Sequence, residues 1–243
     1  MKKWFLALAT VVTTFALEGV SFAATTKGGI SDPAEGWRHL WHEVLIDITI
    51  IGIIFAVITF YLIVTNIRKS DDQMGTATPL SSSAALSWAF IPVFLFLADD
   101  FFLALKGWDL FRVYRTLPEE GLEIKLEASM WNFNFKYPNG IEVNNDLVVP
   151  KGTPVVFKMT SIDTIHAPYF IDHWVKEDVM PGRITHMWIL PTKVGETVLT
   201  CAEYCGFGHS MMSGKLIIKD PADYDRWVAD NAPEPETEPA DQI

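Results

Sequence analysis

Cysteine is scarce in this sequence: the 243 residues include only Cys201 and Cys205, so any disulfide or thiolate metal site must use this pair. The sequence also lacks the glycine-rich phosphate loops, paired catalytic carboxylates and nucleophile triads of soluble enzymes. Basic residues are few, at 19 against 30 acids, and they form no basic patch, which argues against nucleic-acid binding. Apolar residues, in contrast, make up 49% of the chain, and this composition favours membrane segments.

The first apolar run lies at the N-terminus. Two lysines precede it, and it ends at Ser21-Phe22-Ala23 in the small-x-small pattern of a cleavage site. Residues 1–23 are therefore predicted to be a secretory signal peptide. Because Glu18 interrupts the run, an uncleaved anchor is the alternative, and in both cases the chain that follows starts outside the cytoplasm.

Two further apolar runs predict transmembrane helices at residues 41–66 and 84–108. Each run is long enough to cross a bilayer core of roughly 30 Å. With residues 24–40 in the periplasm, the link at residues 67–83 lies in the cytoplasm and the rest of the chain returns to the periplasmic side. The sequence thus predicts a multi-pass protein of the cell inner membrane whose C-terminal domain lies outside.

After the last apolar run, the spacing of apolar residues changes from the helical repeat to every second residue, which is typical of a β-strand. The segments GLEIKLEAS and WNFNFKY alternate apolar and polar residues, and DLVVP, TPVVFKMTS, RITHMWIL, ETVLTC and GKLIIK follow between glycine and proline turns. About seven short strands in this region predict an antiparallel β-sandwich at residues 118–219. Residues 220–243, with eight acids and one arginine, are predicted to be a disordered acidic tail.

The segment CAEYCGFGHSMM, which ends at Met212, lies between the last two predicted strands. Thiolates, thioethers and imidazoles suit copper, so the two cysteines, His209 and Met212 supply most of a copper site. Two thiolates favour a pair of copper ions bridged by both sulfurs, and His166, just after the strand TPVVFKMTS, is placed to provide another imidazole. A disulfide loop and a zinc site are the alternatives.

Four segments together resemble subunit II of the haem-copper (cytochrome c) oxidases that carry a binuclear CuA centre. These segments are CAEYCGFGHSMM, SIDTIHAPYF, KEDVMPGR and WNFNFKYP, and the resemblance covers residues 41–219. It implies an N-terminal two-helix transmembrane hairpin followed by an all-β cupredoxin-like Greek-key sandwich.

The resemblance also implies the residues of the site. Cys201 and Cys205 would bridge two copper ions, and two histidines would each bind one of them. The implied CuA ligands are His166, Cys201, the Glu203 backbone carbonyl, Cys205, His209 and, as a weak ligand, Met212. The Glu203 side chain would face a magnesium ion shared with the catalytic subunit, and electrons would enter at Trp131.

As a function, the resemblance implies a non-catalytic electron-transfer subunit of cytochrome c oxidase. Such a subunit accepts electrons from a periplasmic cytochrome c, or a similar small donor, and passes them to haem in catalytic subunit I for O2 reduction. Further membrane subunits are expected as partners. Two alternatives stay open: a CuA subunit of a haem-copper nitric oxide reductase, and a copper carrier or assembly protein. The complete ligand set disfavours a carrier, which needs exchangeable coordination.

The sequence departs from the family pattern at several places. Lys136 stands where an acid is common, which disfavours docking of a strongly basic cytochrome c. The segment 84–87 lacks the glutamate that the family often has before the residue matching Trp88, and this keeps the nitric oxide alternative open. Asp99 and Asp100 lie inside the last apolar run, either as an interfacial pair that faces water or as an intramembrane functional pair that faces the catalytic subunit.

Overall fold

A computed structural model describes residues 32–75 and 79–233 of the chain. The predicted signal peptide, residues 1–23, and the end of the predicted tail, residues 234–243, lie outside the described residues. The chain divides into two compact units, one that contains the apolar helices up to Leu110 and one that contains the β domain.

Two long helices, α1 (Pro33–Thr65) and α2 (Ser82–Arg115), correspond to the predicted transmembrane segments. α1 begins well before residue 41 because Asp32 caps it: Asp32 Oδ1 accepts a hydrogen bond from Ala34 N at 2.9 Å. Proline in the first helical position also favours this start, since its missing N–H needs no partner there. Both helices are thus longer than their apolar runs.

Both helices are long and apolar enough to cross a membrane. Their large apolar side chains are exposed within the chain, for example Phe55 at 72% and Phe96 at 68%. A soluble protein seldom exposes a continuous apolar surface of this size, because contact with water is unfavourable. The two helices therefore have the surface of membrane-spanning segments.

In the described residues, the β domain contains ten strands. They are β1 Leu122–Ser129, β2 Asn132–Lys136, β3 Glu142–Asn144, β4 Leu147–Pro150, β5 Val155–Ser161, β6 Pro168–Phe170, β7 Val175–Lys176, β8 Thr185–Ile189, β9 Gly195–Cys201 and β10 Ser213–Lys219. Two five-stranded sheets result, with the orders β3-β2-β1-β5-β8 and β4-β10-β9-β6-β7. The inward-facing side chains form one core, in which Phe157 of the first sheet stacks on Phe170 of the second with ring centroids 4.9 Å apart.

The predicted fold class, a pair of apolar helices followed by an all-β cupredoxin-like sandwich, is confirmed. All seven predicted strands are present, and β3, β6 and β7 are additional. The prediction of a purely antiparallel sandwich is wrong at two pairs, because β1 runs parallel to β5 and β4 runs parallel to β10. Alternation of apolar residues indicates which face of a strand is buried, but not which way the neighbouring strand runs.

The prediction of a disordered tail from residue 220 onward is also wrong where Pro221–Asn231 forms helix α3. Tyr224, Trp227 and Val228 lie on one face of this helix, at helical spacing, and pack against the core. Burial of these apolar side chains stabilises a segment whose acid-rich composition alone indicated disorder.

Candidate metal centre

The ends of two paired strands position the predicted metal loop. β9 ends at Cys201 and β10 starts directly after Met212, and the Cys201 backbone N–H donates to the Met212 carbonyl at 3.0 Å. Between them the chain turns back through the short 3-10 helix His209–Met211. The antiparallel pairing therefore brings both ends of the loop to the same edge of the sandwich.

His166 reaches this edge from a different part of the chain. It lies between β5 and β6, and its backbone makes two hydrogen bonds with Val179, at 3.1 and 2.7 Å. Two residues later, Pro168 of β6 lies opposite Cys201 of β9. The His166 side chain is fully buried, and one ligand atom each from His166, Cys201 and Cys205 lie within 4.8 Å of one another.

The other predicted ligands surround the two sulfurs. Cys201 Sγ and Cys205 Sγ are 3.9 Å apart, and the Glu203 carbonyl oxygen lies 3.2 Å from Cys201 Sγ. His209 Nδ1 lies 3.5 Å from Cys205 Sγ, and Met212 Sδ lies 3.7 Å from the same sulfur. Every predicted copper ligand thus lies at one place in the structure.

Both cysteines are free and buried, so this structure contradicts the disulfide alternative. Two thiols, two imidazoles and a thioether form a soft donor set that suits copper, whereas methionine is uncommon at zinc sites.

The ring of His166 supplies a direct test of whether the site fits a metal ion. His166 Nε2 is hydrogen-bonded to Asp163 Oδ1 at 2.8 Å, while Nδ1 is buried without a partner in the described part of the chain. A buried polar nitrogen without a partner is unfavourable, and a metal ion beside the thiols would satisfy it. The residues present therefore fit copper.

The protonation states of the groups around the site differ. Burial and, after it, the neighbouring Cys201 raise the pKa of Cys205 to about 11, so a metal ion that binds this thiol must displace its proton. Partial burial would also raise the pKa of Asp163, but hydrogen bonds from His166 and from two backbone N–H groups outweigh it and lower the value to about 2. The Asp163 carboxylate that contacts the His166 ring is therefore negatively charged.

Trp131 connects the site to the surface. Its indole is 39% exposed, and its Nε1–H donates to the Cys205 carbonyl at 3.2 Å. Gly206 and Gly208 lie against the same ring, and a Cβ on Gly208 would come 2.7 Å from the indole carbons Cγ and Cε3 and closer still to Cδ2. The metal loop therefore packs directly on the predicted point where electrons enter.

Asp163 is a residue that sequence reasoning missed. The signal was present in the segment DTIH, because an acid three residues before a loop histidine is close enough to hydrogen-bond its ring. In the structure this bond is formed, and Asp163 also accepts a hydrogen bond from the backbone N–H of Met130 at 2.6 Å.

The remaining predicted residues lie apart from the copper ligands or keep an untested role. Asp99 is half-buried and Asp100 exposed in α2, and their function stays a prediction. The Glu203 side chain is half-buried, and its contact with magnesium also stays a prediction.

Known proteins are similar to the part of the chain that contains this site. The family model "Cytochrome C oxidase subunit II, periplasmic domain" matches residues 122–219. The alternative cytochrome c oxidase subunit 2 of Bradyrhizobium diazoefficiens is 22% identical over 254 residues, which cover 92% of this chain and 91% of that protein. The heme-copper oxidase subunit 2 of Aeropyrum pernix is 34% identical over 111 residues, or 44% of this chain and 47% of that protein.

A solved structure is similar to the β domain as well. The periplasmic domain of subunit II of the cytochrome oxidase of Bradyrhizobium japonicum is 26% identical, with a TM-score of 0.46, and the match covers 48% of this chain and 96% of that one. The region that matches the family model, residues 122–219, contains all six predicted ligands and Trp131. Residues 122–219 of this chain therefore match the periplasmic domain of cytochrome c oxidase subunit II.

Proposed function

We propose that this chain is the electron-transfer subunit of a respiratory haem-copper oxidase. It accepts electrons from a periplasmic cytochrome c and passes them to haem in the catalytic subunit, which reduces O2. The observation that carries the proposal is the convergence of six soft or carbonyl donors at one buried edge of a rigid sandwich, in contact with an exposed tryptophan.

The ligand set suits two copper ions. In this assignment the two ions would be held by the thiolates of Cys201 and Cys205, the imidazoles of His166 and His209, the Met212 thioether and the Glu203 carbonyl. Copper in such a site takes up and releases single electrons without binding a substrate.

The fold holds these ligands in fixed positions. His166 is fixed by two backbone hydrogen bonds to Val179, and Cys201 and Met212 are fixed to each other across β9 and β10. A site whose ligands are held in this way changes little in geometry between oxidation states, so the barrier to electron transfer is low. The chain itself thus supplies the ligands and holds them in place, while the O2 chemistry belongs to the partner subunit.

Trp131 is the proposed point where electrons enter. Its exposed indole edge is available to a redox partner, and its Nε1–H is hydrogen-bonded to the carbonyl of the ligand residue Cys205. One hydrogen bond therefore separates the surface from a residue that binds the metal.

The proposed surroundings follow from this role. In this proposal the chain lies in the cell inner membrane, with the copper domain on the periplasmic side, and the two apolar helices support it. The Glu203 side chain contributes to a magnesium site at the boundary with catalytic subunit I, and Asp99 and Asp100 face that subunit. A copper carrier is disfavoured because the donors are complete and mostly buried, which hinders exchange of the ion.

The nitric oxide alternative depends on the second helix, where the segment 84–87 lacks a glutamate. The test uses the complex purified in detergent through a tag on this chain, with reduced cytochrome as donor and O2 or NO as acceptor. We expect rapid oxidation with O2 and its loss in Cys201→Ser. Turnover with NO and little with O2 would instead assign the chain to a nitric oxide reductase.

A further inference from the structure

One carboxylate near the metal site holds two different parts of it. Asp163 Oδ1 accepts hydrogen bonds from His166 Nε2 at 2.8 Å, from Thr164 N at 2.6 Å and from Ser161 Oγ at 3.3 Å. Asp163 Oδ2 accepts from the backbone N–H of Met130 at 2.6 Å. The two oxygens thus face in different directions, one toward a copper ligand and one toward the segment that contains Trp131.

The bond from Oδ1 determines how His166 can bind a metal. Because an ionised carboxylate only accepts hydrogen bonds, Nε2 carries the ring proton and donates the hydrogen bond. The proton-free nitrogen of the neutral ring is then Nδ1, which is the buried nitrogen without a partner in the described residues. The ring therefore offers a lone pair on a buried nitrogen, and a ligand atom of His166 lies within 4.8 Å of both cysteine sulfurs. A carboxylate behind a ligand histidine fixes its tautomer and orientation and increases its basicity.

The bond from Oδ2 fixes the start of the β1–β2 turn. Met130 directly precedes Trp131, whose indole N–H donates to the Cys205 carbonyl. Hydrogen bonds therefore link the ligand His166 to Asp163 and Asp163 to Met130. The next residue, Trp131, is hydrogen-bonded in turn to the ligand residue Cys205. Both ends of this series are copper ligands in the proposed assignment, and Trp131 lies between them.

We propose that Asp163 is a positioning residue that holds His166 in its metal-binding tautomer and, through its second oxygen, holds Trp131 at a fixed distance from the metal loop. This inference depends on the proposed copper function. Asp163 acts through these two residues, so its removal weakens the site through His166 and slows electron entry through Trp131.

The test compares Asp163→Asn with two control variants in the full-length chain. Asp163→Asn keeps the size of the side chain but replaces one of its two acceptor oxygens by an NH2 group. Only one oxygen then remains for the donors that share two oxygens in the wild type. Asp172→Asn makes the same chemical change at an exposed residue of the 3-10 helix Ile171–His173. Ser161→Ala removes a hydroxyl at the end of β5 that donates to the Thr164 carbonyl at 2.6 Å, and it leaves the carboxylate bonds to His166 and Met130 in place.

Copper affinity is measured by competition with a chelator, and the absorption spectrum and midpoint potential of the copper centre are recorded for each variant. We expect Asp163→Asn to bind copper ten- to 100-fold more weakly, as is typical when an outer-shell partner of a ligand histidine is lost. Its spectrum and potential should shift as well. Both controls should retain wild-type affinity and spectrum.

A second measurement addresses Trp131. In the purified complex, O2 uptake with reduced cytochrome is compared with uptake driven by a small-molecule mediator, at full copper loading. We expect Asp163→Asn to lower the cytochrome-driven rate several-fold more than the mediator-driven rate.

Unchanged copper affinity, spectrum and potential in Asp163→Asn would overturn the inference. Equal copper loss in Ser161→Ala would also overturn it, because the loop rather than the carboxylate would then be responsible. If the wild-type chain itself retains no copper, the proposed function fails, and that result is distinguishable from a failure of Asp163 alone.

Discussion

A single added methyl group at Gly214 should disrupt both the fold and the copper site. Gly214 follows Met212 by two residues on β10, and a Cβ built there would lie 2.5 Å from the carbonyl carbon and 2.9 Å from the Cα of Asn145, and closer still to the Asn145 carbonyl oxygen. Non-bonded carbon atoms normally approach to about 3.5–4.0 Å, so Gly214→Ala requires a displacement of about 1 Å. Because the opposing atoms are backbone, no side-chain rotation relieves the contact.

The magnitude follows from the cost of overpacking, typically 1–3 kcal/mol. Since Asn145 has a positive φ of 60° and its Oδ1 accepts from Phe133 N at 3.0 Å, its backbone has little freedom to move, and we expect the upper end, about 3 kcal/mol. For a domain of about 100 residues this lowers Tm by about 12–24 °C. Thermal unfolding of the full-length chain in detergent, followed by circular dichroism and by the copper absorption band, measures the change.

The control for Gly214→Ala is Ser213→Ala, which alters the adjacent exposed position and should change stability by about 0.5 kcal/mol or less. The copper band of Gly214→Ala should shift, because displacement of β10 moves Met212 away from Cys201. A Tm within about 2 °C of wild type would refute the argument, since it would show that β10 and the Asn145 turn separate without cost.

Three further predictions concern the ligands and α3. Cys201→Ser should abolish the copper spectrum because it removes a bridging sulfur, and an unchanged spectrum would contradict the assignment. Met212→Leu should keep bound copper but shift its midpoint potential, measured by redox titration; loss of all copper would show that this sulfur is a principal ligand. Trp227→Ala should destabilise the β domain by about 2–3 kcal/mol, since a half-buried indole removes about 100 Å² of apolar surface from water. Denaturant unfolding measures this loss, with substitution of the exposed neighbour, Arg226→Ala, as the control. The copper spectrum of Trp227→Ala should stay unchanged.

The strands of the sandwich could be predicted because each has one buried and one exposed face. In β1, Ile124, Leu126 and Ala128 are buried while Lys125 and Glu127 between them are exposed, as alternation indicates. β7 has two residues and β6 has three, which is too short for a period to appear. Helix α3 was missed for another reason: its acids dominate the composition, while the apolar face depends on a few aromatic residues.

The convergence of these donors at one place could be predicted because soft donors are rare and their spacing is informative. Nothing in the sequence, however, indicates which nitrogen of His166 is available, or that the Trp131 indole packs on Gly206 and Gly208. Both depend on contacts between loops that lie far apart in the chain. The hydrogen bond between Asp163 and Met130 was missed for the same reason, since the ends of β1 and β5 meet only when the two strands run side by side.

The parallel pairing of β1 and β5 has a functional consequence. Because the two strands run in the same direction, the turn after β1, which contains Trp131, and the loop after β5, which contains His166, leave the sheet at the same edge. Had the pair been antiparallel, as the sequence pattern indicated, these loops would lie at opposite ends of strands about 20–25 Å long. The exposed indole and the buried imidazole could then not share the Asp163 carboxylate. The direction of one strand pair therefore places the exposed Trp131 beside the proposed copper ligands.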